Sequence, residues 1–206
     1  MSYVSTIKSK RANLGLFTIG QGCIQNVNME KVTVIAEWIL DNENDGPTLR
    51  YGSLVAAPLV LYVKNCSTDA DSFISIISHS TQAEIAVGGL VGSNIRYDGE
   101  FHANNIIENC INRASVHLAG EYGGNVGGIS GHTNNDIIQE CINYGTVSGM
   151  GSVGGICGYG ESGYITKCIN YGAISSANSS GGISGGGGNI FDCINYGSVT
   201  GIQCVG

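Results

Sequence analysis

Two prolines and one tryptophan in 206 residues, nine lysines and arginines, and no long apolar run mark this chain by what it has little of. So few prolines, with 42% hydrophobic residues, argue against a disordered chain, because enough apolar surface can be buried to offset backbone entropy. Only 12% of residues are charged and the net charge is −7, so there is no basic stripe for nucleic acid or for an anionic membrane surface. No nucleic-acid partner is expected. No apolar run reaches the roughly 20 residues of a membrane-spanning helix, and membrane insertion is not expected either. The first residues, "MSYVSTIKSKRANLG", lack the apolar core of a secretory signal. Eight cysteines are present, yet there is no Cys-x-x-Cys pair and no Cys–His cluster, so zinc is excluded and no cofactor is expected.

What is abundant is glycine, 33 residues, and repetition. "CINYG" stands at 141–145, 168–172 and 193–197, with the variant "CINRA" at 110–114. A second phrase pairs two small residues with an aliphatic: "VGGLVG" (87–92), "VGGISG" (126–131), "VGGICG" (153–158) and "SGGISG" (180–185). Eroded copies precede these, "YGSLVA" (51–56) with "YVKNCST" (62–68), and 14–34, where Val27 takes the cysteine's place. Short β-branched runs punctuated by Gly, Asn and Ser predict strands and turns, and the alternation Val32, Val34, Ala36 predicts a strand there too. A period of about 25 to 31 residues built from strands predicts an all-β chain, a parallel β-helix (β-solenoid) of about six to seven coils. Residues 1–86 read as its irregular N-terminal coils and 87–206 as regular ones, within one continuous domain.

In such a stack a repeated letter becomes a column. Ile142, Ile169 and Ile194, with Ile129, Ile156 and Ile183, are expected to fill the interior. Asn112, Asn143, Asn170 and Asn195 are expected to form a hydrogen-bonded ladder at a corner. Gly145, Gly172 and Gly197 are expected to need positive φ, and the glycine pairs a bend or close backbone approach. Cys110, Cys141, Cys168 and Cys193 are expected to pack as buried thiols, because parallel side chains in register disfavour the disulfide dihedral. Ile-to-Cys spacing is three, so both face inward only if a bend lies between them.

The pattern "VGGICGYGESGYITKCINYGAIS" resembles the GLUG-type repeat of bacterial secreted and surface proteins. The likeness covers about residues 14–206 and is strongest after 87. It implies right-handed coiling and an extracellular or cell-surface location. No signal or anchor of the kind such proteins bear is legible in these residues, a departure from the family pattern. "YGSVTGIQCVG" (196–206) aligns without gaps on the repeat that starts at Tyr144, so the sequence stops inside a unit. That predicts a piece of a longer parent chain, with further repeats as its neighbours.

Candidate sites are few. Tyr144, Tyr171 and Tyr196 share one repeat position and are the candidate binding residues, either as an aromatic platform for a glycan or a surface protein or as a brace for the corner. Asp41, Glu43, Asp45 and Gly46 have the spacing that opens a calcium loop, but Gly52 stands where its bidentate acid belongs; the alternative is a solvated acidic insertion. Arg96, Asp98, Glu100 and His102, with His79, His132 and Asp136, are the candidates for catalytic chemistry, or else a solvated loop or part of a binding surface. The reading that follows is a non-enzymatic extracellular repeat module, stalk or adhesin-like. A carbohydrate-active β-helix enzyme is the alternative.

Overall fold

The computed structural model describes residues 2–8, 11–39, 48–79, 84–93, 105–120 and 123–206. Every element among them is a strand, and every strand pairing is parallel. One circuit shows the plan. Ser115–Gly120 lies in a first sheet, A; Asn125–Gly127 in a second, B; Ser130–Thr133 and Asp136–Gln139 in a third, C; Ile142–Asn143 in a fourth, D. The chain then returns to A at Val147–Gly149, beside the strand it left. It visits the four sheets in this order six times and ends in A and B. Sheets A and B have seven strands each and D has six. The strands on both sides of residue 87 stack in the same four sheets, and the Val32–Ala36 alternation is a strand, Thr33–Trp38.

Sheet C has eight strands and one irregularity. Val55–Lys64 meets two strands on one side, Val91–Ser93 at Val55 and Ile106–Glu108 at Tyr62 to Lys64. Cys157–Thr166 likewise meets both Ser130–Thr133 and Asp136–Gln139. The pairings therefore close on themselves as in a parallel barrel. They do so because each of the two circuits between these long strands gives sheet C two strands, Val91–Ser93 with Ile106–Glu108 and Ser130–Thr133 with Asp136–Gln139, the second pair parted at Asn135, which has φ 59°.

The interior is a set of columns along the stack. Leu54, Leu90, Ile129 and Ile156, all fully buried, lead to half-buried Ile183. Val34, Ile74, Val116, Val147 and Ile174 form a second column on sheet A, and Val63, Ile107, Ile138 and Ile165 a third on C. Burying each such side chain contributes about 1.5–3 kcal/mol.

Ile142, Ile169 and Ile194 are adjacent in register, one strand spacing apart, as a stacked repeat requires. They do not fill the interior. Cys141 and Asn143 are fully buried, while Ile142 is half-buried between them and Ile194 is 45% exposed. The reason is the bend that spacing three demands. It falls on the residue before each cysteine, where Asn65, Asn109, Glu140, Lys167 and Asp192 all adopt φ of 50–55°. This left-handed residue turns the chain from C into D and restarts the alternation with Cys inside, Ile outside and Asn inside.

The glycine of "CINYG" also differs from expectation. Gly145, Gly172 and Gly197 are not among the residues with positive φ. A Cβ on them would overlap the carbonyl oxygen of Ala114, Gly145 and Gly172 in the preceding circuit. Close stacking, not a left-handed backbone, selects glycine there. The second glycine of each pair has a partner across the interior: a Cβ on Gly128, Gly155 or Gly182 would strike the side chain of Asn143, Asn170 or Asn195.

Candidate functional site

Sheet D carries the most regular exposed surface. Its buried side is the asparagine ladder. Nδ2 of Asn112, Asn143 and Asn170 each donates to Oδ1 of the next asparagine at 2.8 Å. The same Nδ2 also donates to a carbonyl two residues on, of Ala114, Gly145 and Gly172, at 2.8–2.9 Å. Below Asn112 the row is continued by Thr68, whose hydroxyl donates to Asn112 Oδ1 at 2.7 Å. Each inward amide is thus satisfied, and the strand of two residues is held in register from within.

The outward residues of the same strands make two parallel columns. One is Ile111, Ile142, Ile169 and Ile194. The other follows each asparagine: Arg113, Tyr144, Tyr171, Tyr196. The Tyr144 and Tyr171 rings stack at 5.0 Å with 4° between planes, and Tyr171 and Tyr196 at 5.1 Å and 11°. The Arg113 guanidinium lies over the other face of Tyr144, 5.3 Å from its centroid, a cation–π cap. The three rings are 46%, 44% and 64% exposed. Both faces of Tyr171 are covered by neighbours, so the column offers ring edges and hydroxyls, and one open face at Tyr196. Sequence reasoning isolated the tyrosines but missed Arg113, which occupies their position in "CINRA", and the isoleucines beside them.

The other candidates are dispersed. His79 Nε2 lies 2.9 Å from Glu37 Oε1, both half-exposed. His132 is buried against Tyr159, the rings edge to face at 5.4 Å, with its Nε2 3.8 Å from Glu161 Oε1. Burial, with Arg50 as a second cause, pulls its pKa down to about 4. Asp136 Oδ1 accepts instead from the backbone N–H and side-chain amide of Asn105 at 3.0 and 2.9 Å. Asp41, Glu43, Asp45 and Gly46, and Arg96, Asp98, Glu100 and His102, lie outside the described residues.

The cysteines form a column of free thiols, with Cys66 joining Cys110, Cys141, Cys168 and Cys193. Each Sγ–H points to the carbonyl two residues earlier, at 3.2–3.3 Å. Cys141 is fully enclosed, and burial pushes its thiol well above the ordinary range, away from the reactive thiolate. Cys157, off the column, is buried beside Thr133, and burial raises it to about 12. Among the described residues no three His, Cys, Asp or Glu side chains are grouped to hold a metal.

No family model matches this chain, and comparison with curated proteins and with solved structures gives no match either.

Proposed function

We propose that this chain is a non-enzymatic repeat module, a right-handed parallel β-helix of the GLUG type, acting as the stalk or adhesin-like binding region of an extracellular or cell-surface protein. Right-handed coiling is the choice of nearly all crossovers between parallel strands of one sheet, because a twisted strand packs back onto its sheet that way. The partner is a glycan or a surface protein. The observation that carries the reading is the exposed strip on sheet D, where Tyr144, Tyr171 and Tyr196 stand beside Ile142, Ile169 and Ile194. Stacked rings lose little entropy on contact, because neighbours already hold them, and hydroxyls at each step add hydrogen bonds. Individually weak contacts repeated along a stiff column give useful avidity.

The test is a glycan and surface-protein array probed with the parent chain and with a Tyr144→Ser, Tyr171→Ser, Tyr196→Ser variant. Binding that the triple variant loses, with its unfolding midpoint nearly unchanged, supports the strip. A reducing-sugar assay on the same polysaccharides separates the enzyme alternative. Turnover abolished by Asp98→Asn or Glu100→Gln would overturn the non-enzymatic reading.

A further inference from the structure

The outer face of sheet A holds a groove of about 420 Å³ lined from four circuits. That size is within the roughly 300–1,000 Å³ usual for small-molecule sites. Strand Ser115–Gly120 runs beside the shorter strands Val147–Gly149 and Ile174–Ser176, and Gly149 and Ser176 stand in register among the lining. Met150, Ala177 and Ile202 remain as an apolar rim, and Leu118 lies behind.

Along the groove runs a polar column. His117 pairs in register with Ser148, and Ser148 with Ser175. His117 Nδ1 and Ser148 Oγ are hydrogen-bonded at 2.7 Å, which fixes the ring. Among the described residues neither His117 Nε2 nor the Ser175 hydroxyl has a protein partner. The backbone groups of these strands are committed to the parallel ladder, so an added peptide strand finds nothing to pair with on this face. Among the described residues His117 is the one ionisable group of the lining, which holds no carboxylate, lysine or arginine. A charged ligand would leave water without compensation.

We infer that this groove binds a neutral saccharide, independently of the strip on sheet D. Its polar groups span two strand spacings, about 10 Å, longer than one pyranose ring. Hydroxyls of successive sugar units meet His117 Nε2, Ser148 and Ser175, and the apolar ring faces rest on Met150 and Ala177. A sugar's alternation of hydroxylated edge and C–H face matches a polar floor beside an apolar rim.

The experiment is a titration of the ¹⁵N-labelled chain with cellobiose, maltose and a neutral β-1,3-linked disaccharide, followed by amide shifts. At least one should give saturable shifts at Gly149, Met150, Ser175 and Ala177. Ser175→Phe, which fills the groove from an exposed position, should weaken that binding by roughly tenfold or more, and Ala177→Trp should do the same if Ser175→Phe does not fold. Tyr171→Ser should leave it within about twofold of the parent chain. Absence of saturable shifts with all three sugars would overturn the inference, as would shifts centred on Tyr144 to Tyr196, or groove shifts that survive both filling variants. A sugar that moves only the tyrosine amides would support the strip and reject the groove, so the two readings fail separately.

Discussion

Replacing Asn143 with alanine removes the centre of the buried ladder. Its Nδ2 serves Gly145 O and Asn170 Oδ1, and its Oδ1 accepts from Asn112 Nδ2, all at 2.8 Å. Asn112 keeps its bond to Ala114 O, and Asn170 Oδ1 keeps the N–H of Gly172 at 3.2 Å. Gly145 O loses its side-chain donor inside the stack. A buried polar group deprived of its partner costs about 1–3 kcal/mol, so one full loss and two partial ones sum to about 3–5 kcal/mol. Against a total of ~5–15 kcal/mol that is a large share. At ~2–4 °C per kcal/mol for a chain of this size, the unfolding midpoint should fall by about 6–20 °C. Asn195 occupies the same repeat position but is exposed, so water replaces what Asn195→Ala removes, at a cost below about 1 kcal/mol. Urea unfolding followed by circular dichroism measures both. Equal losses for the two variants would refute the argument that enclosure, and not the letter Asn, makes the ladder matter.

Lys167→Gly should stabilise by about 1 kcal/mol, because Lys167 sits at φ 53° and gives up only an exposed 3.9 Å contact with Glu140; thermal unfolding decides. Gly172→Ala should cost more than any exposed Gly→Ala change, at least about 2 kcal/mol, since its Cβ would overlap Gly145 O and crowd Asn143 Nδ2 at 2.8 Å. His132 has a folded pKa of about 4, below the unfolded value near 6.5, so its contribution is present above ~6.5 and is lost as pH falls toward 4. That loss is about 3 kcal/mol, and a His132→Gln chain should show a shallower fall in midpoint over the same window. Cys157, raised to about 12, works in the opposite direction: its stability is intact below the unfolded value near 8.5 and declines from there toward 12, a decline Cys157→Ala should blunt. In a Cys204→Ser background an aromatic disulfide reagent should label exposed Cys23 quickly, half-buried Cys193 slowly, and Cys66, Cys110, Cys141, Cys157 and Cys168 only on unfolding.

The columns were legible because identical letters at a fixed period leave one arrangement in which each serves the same purpose. Asn112, Asn143, Asn170 and Asn195 form the ladder, and the tyrosines stack. Which columns face inward was less legible. The phase of the alternation depends on the left-handed residue before each cysteine, and that position holds Asn109, Glu140, Lys167 and Asp192. Asparagine and aspartate advertise positive φ in a sequence; Glu140 and Lys167 adopt it because the stack imposes the turn. A phase set without that turn puts Ile142 in the core and hides the isoleucine flank of the strip. The groove on sheet A left no signal in any single segment. His117 and Ser148 lie 31 residues apart and meet because their strands pair, and the rest of the lining comes from further circuits that no one segment contains.

The two halves of the repeat recur together because each is the other's wall. The second glycine of the pair leaves the volume into which the asparagine of the same circuit projects, Gly128 for Asn143 and Gly155 for Asn170. A side chain on that glycine would displace the amide, and a larger residue in place of the asparagine would meet backbone. Neither can change alone, so these positions are fixed by packing and carry little information about a partner. Freedom to vary lies with the outward residues, and there the chain shows two distinct choices: rings and isoleucines on sheet D, an imidazole and hydroxyls on sheet A. Tyr171 and Ser175 stand four residues apart in one circuit, on either side of the turn at Gly172. If the two faces bind independently, combining Tyr171→Ser with Ser175→Phe should lower the binding of a ligand long enough to round that turn by the product of the separate losses, and a clear departure from that product in either direction would show that the faces are coupled.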